Sequence, residues 1–343
     1  MKRLLNTLYI TSEKRYLSLD GENVVIKEED HEAGRMPLHN LDMIVTFSRF
    51  GVSPALMGKC AERNISIVFL TPQGAYLARV EGKTRGNVLL RKKQYQVSES
   101  DSKSVLIARN FILGKVYNAR WIVERMKRDH PMQVNVERLA QISERLKESM
   151  HIIVACESTE TLRGYEGELA SAYFSVFNDM ILQQKDEFFF HGRNRRPPLD
   201  NVNALLSFSY TLLTNMTAAA LETVGLDPCV GFLHGDRPGH YSLALDMMEE
   251  LRPALADRFV LRMINKRMVT VKDFQKKEDG AVLLTDDARK IILSEWQKRK
   301  QEEILHPYLD EKIPWGMVPY AQAMLLARHL RGDIEAYPPF FWK

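Results

Sequence analysis

Between Thr7 and Val80 apolar positions alternate with polar ones in short runs, whereas from Ser104 almost to the C-terminus they return every three or four residues. A period of two places alternate side chains on one face of a strand, and a period near 3.6 places them on one face of a helix. The chain therefore reads as a β segment followed by a helical one. Thr7–Thr11 and Tyr16–Leu19 alternate, and Asp20-Gly21 offers a tight turn into Val24–Ile26. Met43–Phe47, Ile65–Leu70 and Ala75–Val80 are further strand candidates, the last two joined by the turn residues Pro72-Gln73-Gly74. Between them, Ser53 is placed to cap a short helix that starts at Pro54 and runs through Glu62. A small, sandwich-like β domain carrying one helix is expected.

After Gly82 the pattern changes. Lys83, Arg85, Arg91, Lys92 and Lys93 form a basic connection that runs into polar Ser98–Ser102. The division falls there, with residues 1–96 as an N-terminal β domain and 97–343 as a larger all-α C-terminal domain carrying the chemistry, an α+β architecture. Ile107, Phe111, Ile112 and Val116 share one helical face. Similar faces recur over Val136–Met150, Leu169–Gln184, Val202–Val224, Tyr241–Met268, Thr285–Leu305 and Tyr320–Arg331. No fixed-period repeat and no low-complexity segment interrupts them.

Composition narrows the class only a little. With 343 residues, 45% of them hydrophobic, a substantial core is available, but a formal net charge of +4 is too small to demand a nucleic-acid partner. Local clusters must carry that case. Cys60, Cys156 and Cys229 lack both the paired spacing of a zinc site and the even count of a disulfide framework, which points to a reducing, cytoplasmic location. The basic N-terminus is interrupted by Thr11, Ser12 and Glu13, and no run approaches the roughly 18 apolar residues that span a bilayer, so no membrane partner is expected.

Three separated stretches concentrate candidate chemistry: Leu162–Glu168 with Glu166, Phe232–His240 with His234, and Ser242–Pro253 with Asp246 and Glu249. Glu166 is expected to open a helix whose apolar face includes Leu169, Tyr173, Val176 and Phe177, flanked by Gly164 and Gly167. His234 precedes a turn-rich loop, and Asp246 and Glu249, three apart on the following helix, can return toward it. His240 competes with His234, which the adjoining Phe232 and Leu233 place at the edge of packed structure. Asp246 competes with Glu249 and could instead orient another ligand. Two carboxylates and an imidazole suit Mg²⁺ or Mn²⁺ and phosphodiester chemistry. The structural alternative pairs Asp246 or Glu249 with Arg252 or Arg262 and leaves His234 as an interior histidine.

Taken together these stretches resemble the CRISPR-associated integrase family, protein one of the spacer-acquisition machinery. Arg163-Gly-Tyr-Glu166-Gly is similar to its glutamate motif, with Tyr173 and Phe174 following. Arg196–Tyr210, which includes Asn203 and Ser207, is similar to its central helix motif, and Leu233-His234 through Arg252-Pro253 to its histidine and acidic motif. The resemblance spans the whole chain and implies that Glu166, His234 and Glu249 hold a Mg²⁺ or Mn²⁺ ion, with Asp246 close by and Tyr173 near the reacting groups. Many members carry Asp where this chain has Glu249. The implied activity is metal-dependent DNA endonuclease and integrase chemistry: a DNA 3′-hydroxyl attacks a phosphodiester at a CRISPR repeat boundary, inserting a short foreign fragment as a spacer.

The same resemblance implies a homodimer bridged to the small ferredoxin-like second adaptation protein. Its DNA would be duplex with frayed or single-stranded ends. For DNA contact, Arg193, Arg195 and Arg196 are the best cluster, because Phe188–Phe190 and His191 precede them and aromatic with basic side chains can track frayed ends. The strand edges of the β domain suit dimerisation. The aromatic tail Tyr337–Lys343 is expected to fold back on the helices. Two rival readings compete with this one. A di-metal oxygen-activating site would use Glu-x-x-His spacing, found only at Glu28–His31 in the β region. A non-catalytic dimeric DNA scaffold would keep the basic loops and turn the acidic residues into ion pairs.

Overall fold

The alternating runs fold as strands, into two sheets of different kinds. The computed structural model describes residues 7–29, 31–41, 43–71, 76–80, 82, 88–194 and 197–343. Strands β2 (Arg15–Asp20), β3 (Asn23–Glu28) and β4 (His31–Pro37) form an antiparallel meander, with the β2–β3 turn at Gly21 (φ +56°). A second sheet has the order β1-β5-β6-β7, in which β1 (Thr7–Ile10), β5 (Met43–Thr46) and β6 (Ser66–Leu70) are parallel and β7 (Tyr76–Val80) is antiparallel. Every residue of β5 is buried, as suits an inner parallel strand. Helix α1 (Pro54–Glu62) connects β5 to β6, and Ser53 Oγ accepts from Leu56 N at 3.2 Å, as its sequence predicts. Leu17, Val24, Leu38, Ile44, Leu56 and Ile67 fill the core. Strand β4 was not expected, because its residues do not alternate. The Pro72–Gly74 turn and residues Lys83 and Arg85 lie outside the described residues.

The helical region runs through α2 (Val88–Ser98), α3 (Asp101–Asp129), α4 (Val136–Ala155), α5 (Thr159–Ser175), α6 (Asn201–Thr223), α7 (Ser242–Met248) and α8 (Arg258–Asn265). It continues with the hairpin strands β8 (Phe274–Lys276) and β9 (Val282–Leu284), helix α9 (Asp286–Gln301), a second hairpin β10 (Glu303–Leu305) and β11 (Lys312–Pro314), and α10 (Val318–Arg331). The chain divides into two compact units, Met1–Arg85 with Leu284–Glu302, and Gly86–Leu283 with Glu303–Lys343. Helix α9 thus belongs to the first unit, where Lys300 Nζ donates to Thr7 Oγ1 at 2.8 Å and Arg289 stands over the Phe47 ring.

Several helices differ from the periodic reading, each for a physical reason. Helix α2 occupies residues read as a connection, because its buried stripe is Leu90, Gln94 and Val97 and a glutamine interrupts the apolar pattern. Gln94 Nε2 donates to the carbonyls of Asp227 and Val230, both at 2.8 Å, so its burial is satisfied. Helix α5 begins at Thr159, with Ser158 Oγ accepting from Thr161 N, so Glu166 sits two turns inside it rather than at its start. The expected Tyr241–Met268 helix breaks into α7, a π-type turn over Arg252–Asp257, and α8, because Pro253 has no N–H to continue the ladder.

Helix α6 requires a further correction. At 23 residues it is long and apolar enough to cross a membrane by length and composition, contrary to the expectation that no run would be, yet 72% of its apolar window is buried in protein. Its threonines hide their polarity, since the hydroxyls of Thr211, Thr214 and Thr217 donate to the carbonyls four residues earlier.

The tail folds back as expected. Tyr337 and Phe340 are buried, and both contact the buried Glu250: the Tyr337 hydroxyl and Gln322 Nε2 donate to Oε1, and Phe340 N donates to Oε2 at 2.8 Å. Burial outweighs these three donors and raises the Glu250 carboxyl from 4.5 to about 7. A raised folded-state value means stability that is fully present below about 4.5 and declines as pH rises through about 7. Unfolding free energy should fall by on the order of 3 kcal/mol across that window. Urea denaturation at pH 5 and pH 8 checks this, and Tyr337→Phe should lower stability by about 1–3 kcal/mol at either pH.

Candidate active site

Close packing of α3 sets up the site. A Cβ on Gly114 would lie 2.7 Å from Glu250 Cβ, so only glycine lets α3 approach the segment that carries Glu249 and Glu250. The next residue, Lys115, is carried into that contact. Its ammonium pairs with Glu166 Oε1 from α5 and stands 2.7 Å from Glu249 Oε2 at the end of α7. Arg252 Nη1 holds the other Glu249 oxygen at 2.5 Å.

The electrostatics follow from this pairing. Burial alone would raise the Glu249 carboxyl, but the charges of Arg252, Lys115 and His234 outweigh it and hold the group at about 2. Burial likewise disfavours the charged form of Lys115, and Glu249 and Glu166 overcome that to raise its pKa. Glu249 is buried, with Oε2 facing the Lys115 ammonium at 2.7 Å. Two carboxylates thus converge on one cation. That donor set fits a hard divalent ion.

The loop before α7 is organised around Asp246. Its Oδ2 accepts from Phe232 N and Leu233 N at 2.6 and 2.9 Å, and its Oδ1 accepts from His234 N at 2.9 Å and pairs with His234 Nδ1 at 2.6 Å. Both oxygens of this fully buried carboxylate are therefore engaged. Gly231 is obligatory here, because a Cβ would lie 2.8 Å from both Asp246 Oδ2 and His234 O. With Nδ1–H directed at Asp246, the neutral ring presents Nε2 as its acceptor. Burial opposes protonation of His234, but the Asp246 hydrogen bond and the charges of Asp246 and Glu249 leave its pKa raised.

Glu166 and Lys115 also line a cavity of about 790 Å³, together with Arg138, Tyr173, Arg193, Tyr210, Arg252 and Asp257. The Tyr210 ring lies between two guanidiniums, Arg193 at 5.2 Å and Arg252 at 5.1 Å, and its hydroxyl donates to Asp257 Oδ1 at 2.6 Å. Burial raises the Asp257 carboxyl to about 6. Tyr173 is buried, with its ring edge-on to Phe174 and Phe177 and its hydroxyl under the influence of Asp257, so it combines packing with a polar atom at the cavity.

Of the residues predicted from sequence, the structure brings Glu166 and Glu249 together through Lys115, joins His234 to Asp246, and sets Tyr173 and Arg193 at the cavity. It does not gather three of them at metal-cluster spacing among the described residues. Arg193 is committed inward, donating to Asn203 Oδ1 at 2.7 Å and to Ser207 Oγ. Arg195 and Arg196 lie outside the described residues. Sequence reasoning missed Lys115, Gly114, Gly231 and Asp257. Only the isolated glycine inside the α3 pattern offered a signal, for close helix approach.

The family described as CRISPR associated protein Cas1 matches residues 8–298. A CRISPR-associated endonuclease Cas1 of Rhodospirillum rubrum is 52% identical over 347 residues, with all of both chains covered. Among solved structures, a casposase bound to integration product superposes with a TM-score of 0.84 at 22% identity, covering 98% of this chain and 93% of that one. The chain also superposes, with a TM-score of 0.84 at 23% identity, on a chain from a Cas6-RT-Cas1–Cas2 complex, covering 100% of this chain and 36% of that one. At those identities the structural likeness establishes the fold.

Proposed function

This chain belongs to the CRISPR-associated Cas1 family, and from that premise we propose that it cuts and joins DNA as a divalent-metal-dependent endonuclease and integrase of spacer acquisition. The observation that carries the proposal is the convergence of Glu166 and Glu249 on one cation in the wall of a cavity rich in positive charge. Glu166, Glu249 and the Nε2 of His234 are the groups that would hold Mg²⁺ or Mn²⁺. When bound, the ion supplies Lewis-acid charge for the reacting phosphate and its attacking hydroxyl.

The remaining work belongs to the chain. Asp246 keeps the His234 ring in one tautomer and orientation. Arg252 holds Glu249 ionised so that it can act as a ligand. Arg138, Arg193 and Arg252 make the cavity positive, which favours a phosphodiester over neutral ligands. In strand joining, a 3′-hydroxyl forms a new phosphodiester bond to a repeat-boundary phosphorus as the existing bond breaks. The attacking hydroxyl gives up its proton, and the departing 3′-oxygen takes one. Tyr173 and the Tyr210–Asp257 pair border the cavity in which that exchange takes place.

A homodimer acting with the small Cas2 protein on duplex DNA with frayed ends, and on CRISPR repeat DNA, is the matching assembly. The Cas6-RT-Cas1–Cas2 complex and the casposase bound to integration product, which share this fold, support the Cas2 and DNA partners of that assembly. One observation favours the rival scaffold reading: both carboxylates are already neutralised, Glu166 by Lys115 and Glu249 by Lys115 and Arg252. Incubating the purified protein with branched DNA, with Mn²⁺ or with chelator, separates the two. Metal-dependent nicking or joining is expected; DNA binding with no product in either condition would leave only the scaffold.

A further inference from the structure

We propose that Lys115 is an internal stand-in for the divalent ion. Its ammonium sits between Glu166 and Glu249, and it moves into the adjoining cavity, toward substrate phosphate, when the ion enters. This inference rests on the metal-dependent reading above and assigns a role to a residue outside the expected ligand set.

Three features carry it. Lys115 touches both carboxylates at once, one from α5 and one from the end of α7, so its ammonium sits where a shared cation would. Its contact with Glu249 Oε2, at 2.7 Å, is an ion pair to a single ammonium, so a doubly charged ion that coordinates both carboxylates can replace it there. Lys115 also lines the 790 Å³ cavity, so a flexible four-carbon stem has somewhere to take the displaced charge. The two carboxylates repel each other, and the lysine between them offsets that repulsion. Once displaced, the ammonium becomes available to a phosphodiester oxygen, so metal loading and DNA binding reinforce each other.

Mn²⁺ binding to the full-length protein without DNA tests this, with free Mn²⁺ read by electron paramagnetic resonance. Folding of every variant is checked by circular dichroism. Lys115→Met removes the competitor and should tighten Mn²⁺ binding by about tenfold or more, and saturating Mn²⁺ should raise its melting temperature by more than it raises that of the wild type. Lys115→Arg keeps a competing charge and should bind Mn²⁺ no more tightly than the wild type. Unchanged or weaker Mn²⁺ binding by folded Lys115→Met would overturn the stand-in role. Glu166→Gln, run alongside, should weaken Mn²⁺ binding; if it binds as the wild type does, the metal site itself is wrong. A second arm measures a short single-stranded oligonucleotide. Mn²⁺ should strengthen its binding more in the wild type than in Lys115→Met, and equal strengthening would refute the phosphate role.

Discussion

Glu166→Gln and Glu249→Gln should each reduce metal-dependent DNA cutting and joining by about 10³-fold or more, yet differ sharply in stability. The activity loss has one origin, since each variant replaces an anionic oxygen donor with a neutral amide. Stability separates them because their surroundings differ. Glu166 is a quarter exposed, and Lys115 retains Glu249 when Glu166 is neutralised, so the cost should stay within about 1 kcal/mol. Glu249 is 2% exposed and faces the partly buried Lys115 and the buried Arg252, which would be left short of counter-charge at a cost of about 3–5 kcal/mol. Gel-based joining assays with urea denaturation of both variants check the pair. Comparable activity in Glu166→Gln and wild type, or equal stability of the two variants, would count against this arrangement.

Asp246→Ala should impair both folding and function. Three backbone amides, of Phe232, Leu233 and His234, would lose their acceptor in a buried loop, a loss of about 3 kcal/mol or more. The His234 ring would lose the partner that fixes its tautomer, which should lower Mn²⁺ affinity or joining by about 10- to 100-fold. Asp246→Asn is the sharper test, because its amide NH2 must replace an oxygen that faces two of the four existing donors. It should therefore remain well below wild type in both assays. A ligand-only role for Asp246 would instead remove activity and leave stability intact, a result that denaturation curves would reveal directly.

The sequence carried much of the fold because the two halves use different periods. Short alternation or β-rich apolar runs marked six of the seven strands from β1 to β7 among the described residues, and Ser53-Pro54 marked the start of α1. What escaped was written in exceptions to period. Gln94 replaces an apolar residue in the buried stripe of α2, Pro253 breaks a pattern that otherwise runs on, and α9 joins a unit more than 200 residues away in sequence. The candidate site was legible where residue chemistry is distinctive, at Glu166, His234, Asp246 and Glu249. Lys115 was not, since a lysine on a long helix looks like a solvated one until Gly114 brings α3 against the Glu249–Glu250 segment. The division of labour between Asp246 and Glu249 also needed coordinates. Both are buried acids three residues apart, and only their partners, backbone amides for one and side-chain cations for the other, tell them apart.

Crystals of the wild-type protein soaked in Mn²⁺ and measured for anomalous scattering test the central claim most directly. The predicted result is a peak bonded to an oxygen of Glu166, an oxygen of Glu249 and Nε2 of His234, with Asp246 still accepting from His234 Nδ1 and Lys115 turned into the cavity. No peak at saturating Mn²⁺, with Lys115 still bridging the two glutamates, would contradict it.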